Sequence, residues 1–317
     1  MDSQTVGVLL MNLGGPDGQE SVRPFLYNLF SDRLIIRLGP SFMQKPLAWL
    51  IAKRRAPKSA GYYARIGGGS PLLEITRNQA ADIEKRMREH GDFRCFVGMR
   101  YWHPFIEDTV QEMYEAGIRR LLVLSLYPHY SIATTGSSMS SLIKAIKKYP
   151  MDSIAVEPWY AHPGYVDSMA EVIREGLREG TEVLFSAHSL PRSFIEGGDP
   201  YVEHIMGTIN ALEKKLPEMN WRLGYQSRSG PVKWLEPSTE DVIARAAAQG
   251  VKDLLVVPIS FISDHIETLY EIDIYYKEIA KGLGVELRRT ESLNTRISFI
   301  HTLEALVLGK ARDKGWV

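Results

Sequence analysis

Short runs rich in aliphatic and β-branched residues alternate along the chain with longer segments whose apolar positions recur every three or four residues. The short runs at 6–11, 93–99, 120–126, 153–157, 183–186, 222–225, 253–259 and 286–289 predict strands. The longer segments at 72–90, 105–116, 165–179, 200–215, 238–249 and 265–281 predict helices. Strands alternating with helices imply parallel sheets with helices on both faces, an α/β fold.

An internal repeat sharpens this pattern. Pro104 followed by Glu107 and Asp108 is matched by Pro237 followed by Glu240 and Asp241, an offset of 133 positions (237 − 104). Without a gap the same offset pairs Gly117 with Gly250, and Leu121, Leu122 and Val123 with Leu254, Leu255 and Val256. Each copy reads as proline, acidic helix start, helix, glycine stop and strand. The chain is therefore expected to form two similar Rossmann-like halves, doubly wound parallel sheets, over residues 1–157 and 158–317. They would join near 157–163, and the last helix could pack back on the first half. In such folds ligands sit at the carboxyl ends of strands, so a central cleft is the expected binding place.

Composition narrows the partners. Lys plus Arg and Asp plus Glu balance at 38 each, which argues against nucleic acid as a partner. The single cysteine, Cys95, excludes an internal disulfide and a four-cysteine metal site, and its apolar neighbours predict a packed core thiol. The opening residues lack a basic signal-peptide region, and the apolar block at 46–52 is far shorter than the roughly 20 residues of a membrane helix. A cytoplasmic protein is expected, with peripheral contact at the inner face of the membrane as a further option.

Three polar clusters follow predicted strands. One holds Ser186, His188, Ser189 and Pro191; a second runs from Tyr127 to Ser137; a third runs from Ser263 to Asp273. His188 taken alone reads equally as a hydrogen-bonded structural histidine and as a functional group, and its strand-end position tilts it towards function. Glu267 and Glu271, with Tyr270 beside them, share a face of the predicted helix because positions four apart are neighbours. On spacing alone Glu267 is balanced between structure and function, and Asp264 reads as a helix N-cap. The glycines at 67–69 lack the lysine of a phosphate-binding loop, and those at 14–15 do not match a dinucleotide fingerprint.

At these clusters the sequence resembles the ferrochelatases along nearly its whole length. The resemblance rests on 11–16 (MNLGGP), 54–58 (RRAPK), 63–71 (YARIGGGSP), 98–104 (GMRYWHP), 134–137 (TTGS), 185–191 (FSAHSLP), 225–227 (YQS) with 230–235 (GPVKWL), and 263–273 (SDHIETLYEID). It implies a chelatase-like pair of Rossmann-like halves enclosing a porphyrin. It also implies insertion of Fe²⁺ into protoporphyrin IX to form protohaem, a lyase-type reaction releasing two protons in the last step of haem biosynthesis.

Residue by residue, His188 matches the family's active-site histidine and Glu267 its partner acid across the cleft, with His265 just before it. These two are the expected catalytic groups and the expected contacts of the metal. Arg55, Tyr63 and Ser70 match positions that hold porphyrin propionates; Leu13, Arg100, Tyr101 and Trp234 match positions lining the pocket. Ser186, His265, Tyr270 and Glu271 are expected to support the site. Fe²⁺ is expected as a substrate and no cofactor as a resident. Because the chain stops at Val317 and Ile132 stands where animal-type members carry a cluster cysteine, no [2Fe–2S] cluster is expected.

The segment 25–55 interleaves Phe25, Phe30, Phe42, Trp49 and Leu50 with Arg33, Arg37, Lys45, Lys53, Arg54 and Arg55. It reads either as an amphipathic helix pair covering the core or as a porphyrin lip that also touches membrane. A monomer or a homodimer fits the sequence. Two other readings stay open: a chelatase for coproporphyrin or for cobalt or nickel, and a porphyrin carrier without catalysis, which would not need both His188 and Glu267.

Overall fold

The structure, a computed structural model, describes residues 5–230 and 232–317. The opening residues 1–4 and Pro231, within the segment 230–235, lie outside them. The chain divides into two units, Met1–Pro158 with Asn294–Val317, and Trp159–Leu293.

In the first unit the order is β1 (Val6–Asn12), α1 (Val22–Ser31), α2 (Gln44–Ala64), α3 (Leu72–Met87), β2 (Phe93–Met99), α4 (Ile106–Glu115), β3 (Arg120–Ser125), α5 (Ser137–Ile146) and β4 (Asp152–Ala155). A short π-helical turn, Ile132–Gly136, leads into α5. The second unit holds α6 (Pro163–Gly176), β5 (Glu182–His188), α7 (Arg192–Glu196), α8 (Tyr201–Lys215), β6 (Trp221–Gln226), α9 (Thr239–Ala248), β7 (Asp253–Val257), α10 (Lys277–Gly282) and β8 (Glu286–Arg289). Here a longer π-helical segment, Glu267–Tyr276, leads into α10. The final helix α11 (Ile297–Asp313) belongs to the first unit, where it packs on α3; Arg86 pairs with Glu304 at 2.5 Å, and Gln79 donates to the Asn294 carbonyl at 2.7 Å.

Each unit contains one parallel sheet, ordered β2-β1-β3-β4 in the first and β6-β5-β7-β8 in the second. The order is the same plan twice. All residues of β1 are buried, as a central parallel strand covered on both faces requires. Leu9, Met11, Ile106, Val110 and Val123 centre one core, and Leu184, Ile243, Leu254, Val256 and Ile272 the other. Burial of each such side chain contributes about 1.5–3 kcal/mol.

The repeat extends to backbone detail. Pro104 and Pro237 both follow cis peptide bonds, and Gly117 and Gly250 stop their helices at φ 84° and 87°. At Gly98 an added Cβ would lie 3.2 Å from the Ile106 Cα, and at Gly224 it would lie 2.9 Å from the Thr239 Cα, so each helix start crosses its strand where no side chain intervenes. Ladder bonds fix the correspondence of the central strands. The Leu126 amide donates to Met11 and the Ile259 amide to Ser186, and 126 and 259 are related by the same offset. Met11 therefore corresponds to Ser186 and Leu13 to His188. Asn12 pairs with Met99 and Ala187 with Tyr225, so Arg100 corresponds to Gln226 and Tyr101 to Ser227.

Cys95 is half-buried as a residue on β2, but its thiol is packed as expected, with burial pushing its pKa up, and its amide donates to Glu84 at 2.9 Å. One local expectation differs from the structure. Asp264 does not take the N-cap position, which falls at Ile266; it accepts from the Arg289 guanidinium at 3.0 Å, from Ser292 at 2.7 Å and from Thr268 at 3.0 Å. An ion pair offered by the β8 side chain wins over a local cap.

Candidate active site

The site grows from the carboxyl end of β5. Val183, Leu184 and Phe185 anchor the strand in the core, and His188 is its last residue, with the side chain 37% exposed. The His188 amide donates to Ser260 Oγ at 2.9 Å and its carbonyl accepts from the Tyr201 hydroxyl at 3.0 Å. The backbone is thereby held on both sides while the imidazole projects beyond the strand.

Its Nδ1 lies 2.8 Å from Glu267 Oε2. Sequence resemblance placed this acid across a cleft from the histidine; instead the two side chains touch within one unit. The reason is topological. β5 and β7 are hydrogen-bonded neighbours, so the segment following β7 emerges beside the end of β5. Among the described residues Nε2 has no hydrogen-bond partner, which leaves that nitrogen for a ligand.

Glu267 opens the π-helical segment, where an α-helix was expected. Wider turns of this kind recur at functional sites. Glu267 and Glu271 converge on one residue, Ser227: its hydroxyl lies 2.9 Å from Glu267 Oε2 and 2.5 Å from Glu271 Oε2, and its amide donates to Glu271 Oε1 at 2.9 Å. The Tyr276 hydroxyl donates to Glu271 at 2.8 Å. Gln226 Nε2 reaches the Glu267 carbonyl at 3.1 Å and Glu271 at 3.3 Å, and its own oxygen accepts from Ser186 at 2.7 Å.

The electrostatics divide the two acids. Burial works against ionisation of Glu267, but the charge and hydrogen bond of His188, then His265 and Ser227, outweigh it and hold this carboxyl below the usual range. Burial, then the charge of Glu267, push Glu271 above its ordinary value against the Ser227 and Tyr276 hydroxyls. Burial disfavours the His188 imidazolium, yet the charge and hydrogen bond of Glu267, with Glu271 behind, more than offset it and raise its pKa. His265 differs: it is buried and its Nδ1 lies 3.1 Å from the Ser263 carbonyl, and burial pushes its pKa down. Tyr270 is half-buried on the same π-helical segment.

Trp234 lies in this unit, in a β-bridge with Pro191, and its buried indole nitrogen has no partner among the described residues. The other sequence-selected residues lie in the first unit. Tyr101 donates its amide to the Leu13 carbonyl at 2.9 Å, which ties those two together at the end of β1. Arg100 stacks over the Tyr101 ring at 4.8 Å and pairs with Asp32 at 2.8 Å. The Tyr101 hydroxyl donates to Asp32 at 2.9 Å and meets the Ser137 hydroxyl at 2.8 Å, and Ser137 also hydrogen-bonds Asp32. Burial pushes the Asp32 carboxyl up, but Ser137, the Leu34 amide and Arg100 outweigh it and hold it below the usual range. Arg55 sits on α2 with its guanidinium 5.4 Å from the Phe30 ring; Tyr63 is buried at the end of that helix. The Ser70 amide donates to Pro16 at 2.7 Å, which closes the 67–69 glycine loop onto the strand-one loop.

Sequence reasoning assigned no role to Ser227, Gln226, Tyr276, Asp32 or Ser137. Ser227 and Gln226 stood inside a family-like segment, and that was their only signal; Ser137 stood inside another and also closed the second polar cluster.

Two side-chain carboxylates and an imidazole that converge at a strand end suit proton transfer and contact with a divalent cation. Among the described residues no group of three or more His, Cys, Asp and Glu side chains is arranged to hold a metal ion. Against known proteins, the ferrochelatase family model matches residues 5–311. A ferrochelatase of Desulfotalea psychrophila is 54% identical over 314 residues, covering 97% of this chain and 98% of the relative. One from Geotalea uraniireducens is 51% identical over 312 residues, covering 96% of this chain and 97% of the relative. Solved structures of SirB from Bacillus subtilis with Fe³⁺ (TM-score 0.55, 11% identity, 97% of each chain) and of CbiX, described as the terminal enzyme for sirohaem biosynthesis in denitrifying bacteria (TM-score 0.51, 11% identity, 96% of this chain and 99% of that one), share the fold. Matched along nearly all of its length by that model and by relatives of this identity, the chain belongs to the ferrochelatase family.

Proposed function

We propose that the protein inserts Fe²⁺ into protoporphyrin IX, forming protohaem and releasing two protons, with His188 as proton acceptor and Glu267 as its partner. The observation that carries this reading is the 2.8 Å contact between His188 Nδ1 and Glu267 Oε2, with Nε2 left open. Insertion replaces two pyrrole N–H protons by one cation. A neutral imidazole accepts a proton at Nε2, and the carboxylate on its other nitrogen stabilises the imidazolium that forms. Glu267 also offers an oxygen ligand to the incoming cation, as His188 does at the steps when it holds no proton. Arg55, Tyr63 and Ser70 are assigned to the porphyrin propionates, and Leu13, Arg100, Tyr101 and Trp234 to its faces and edges.

Anaerobic turnover followed by absorbance, with protoporphyrin and coproporphyrin side by side, tests the reading. Faster metallation of protoporphyrin is expected; preference for coproporphyrin would overturn the substrate, and no metallation of either would overturn the enzyme.

The segment 25–55 is proposed as a lip with peripheral membrane contact. Phe25, Leu26 and Phe30 of α1 are buried, as are Ala48 and Ala52 of α2, so this pair does cover part of the core. Gln44 ties the intervening loop by donating to the Phe30 and Ile36 carbonyls at 2.8 and 2.9 Å. Phe42 and Leu50 remain 77% and 56% exposed, with Lys45, Lys53 and Arg54 exposed beside them, a combination suited to an anionic lipid interface. No helix among the described residues is long and apolar enough to cross a membrane. Flotation with anionic vesicles is expected to carry the protein, and recovery in the unbound fraction would remove the membrane contact.

A further inference from the structure

The residue at the centre of the polar network is Ser227, and its backbone is unusual. Among the described residues it is one of two non-glycine residues with positive φ, at 66°; the other is Asn294 at 42°. Asparagine visits this left-handed region readily, whereas serine does so much less. The conformation has a specific effect here. β6 ends at Gln226, and the chain turns so that the next amide and the next hydroxyl both face the π-helical segment. An extended Ser227 would continue the strand and its side chain would alternate to the opposite face from Gln226.

Three polar contacts converge on this one residue, two of them sharing its single hydroxyl proton. The amide binds Glu271 Oε1 at 2.9 Å, and the hydroxyl contacts Glu271 Oε2 at 2.5 Å and Glu267 Oε2 at 2.9 Å. Glu267 Oε2 is also the atom that meets His188 Nδ1. Two carboxylates brought this close repel one another when both are charged, and a polar group between them opposes their separation. Tyr101, at the corresponding place in the first unit, likewise sets its hydroxyl between an acid, Asp32, and Ser137 at the head of a helix that follows a π-helical turn.

We infer that Ser227 is a positioning residue: its left-handed backbone and its hydroxyl together hold Glu267 against His188 and keep Glu271 beside them. The inference rests on the chelatase reading of the same site. Ser227 touches neither the tetrapyrrole nor the cation in this account, and it acts through the glutamates.

Ser227→Gly tests it, because glycine adopts the same backbone and keeps the amide while losing the hydroxyl. In steady-state metallation this variant is expected to lower kcat about ten- to a hundredfold, as displacement of a reacting group by an ångström does. Its KM for porphyrin should stay within about twofold of the wild type, because uniform substrate binding is untouched. Ser227→Asn, which tolerates positive φ and restores a donor, is expected to recover part of kcat. A crystal structure of Ser227→Gly should show the His188–Glu267 contact lengthened or lost. A folded Ser227→Gly enzyme with wild-type kcat, or one whose crystal structure keeps both glutamates in place, would overturn the inference. Absence of metallation by the wild type would instead overturn the function, and the crystal structure would then decide the positioning role by itself.

Discussion

Leu13 and His188 occupy the same place in two copies of one strand-and-helix plan, and their surroundings have diverged. At the end of β1 the network is centred on a salt bridge: Arg100 and Asp32 are 2.8 Å apart, and Tyr101 and Ser137 complete the acid's partners. The acid's charge is answered by a permanent cation. At the end of β5 the network has two acids, Glu267 and Glu271, and its cation is an imidazole whose charge comes and goes. Arginine stays protonated under all ordinary conditions, while histidine exchanges a proton near neutrality. The same scaffold thus builds a fixed electrostatic frame in one unit and a proton-exchanging group in the other.

Replacement at the two equivalent positions should break that comparison most sharply. His188→Ala is expected to lower kcat for metallation by about 10²–10⁴-fold, the usual worth of a positioned acid–base group, while porphyrin binding followed by fluorescence quenching persists. Leu13→Ala, which removes apolar contact only, should lower affinity by less than about 200-fold and leave proton transfer intact. Equal losses of kcat in the two variants would show that the units do not differ in this way.

The next test concerns pH. The acceptor must be neutral, so kcat/KM rises as pH climbs through the His188 value, which Glu267 and Glu271 hold above the ordinary range near 6.5. In Glu267→Gln the larger raising charge is gone, Glu271 keeps only the smaller one, and burial, which lowers the value, remains. The acid limb of the kcat/KM profile should therefore move to lower pH, alongside a lower plateau. A limb that stays in place would mean that the profile reports another group.

The smallest effect is expected at the paired glycines. Gly224→Ala places a Cβ 2.9 Å from the Thr239 Cα, and Gly98→Ala places one 3.2 Å from the Ile106 Cα. Both crowd a helix start against its strand and should cost about 1–3 kcal/mol in urea unfolding, the second-unit change more than the first. The reverse order would argue that the second unit relaxes more easily at that crossing.

Much of the fold was legible because strands and helices declare themselves locally. The strands Arg120–Ser125 and Asp253–Val257 carry the apolar runs 121–124 and 254–257, and the proline, acid and glycine signals around the intervening helices recur at a fixed offset. The strand-end position of His188 followed from the same pattern. Its contact with Glu267 did not, since 79 residues separate the two and only the neighbouring of β5 and β7 brings them together. Nor did the role of Asp264, whose partner Arg289 comes from β8.

By itself the sequence determined the alternation of elements, their duplication and the chemical types available at each strand end, because periodicity and turn chemistry are properties of neighbours along the chain. Tertiary structure decided which of those groups meet: that two glutamates share one serine hydroxyl, that the chain turns left-handed at Ser227, and that a π-helical segment replaces an ordinary helix at Glu267–Tyr276. Those outcomes depend on distant segments competing for the same donors and acceptors, and that competition exists only once the sheet is formed.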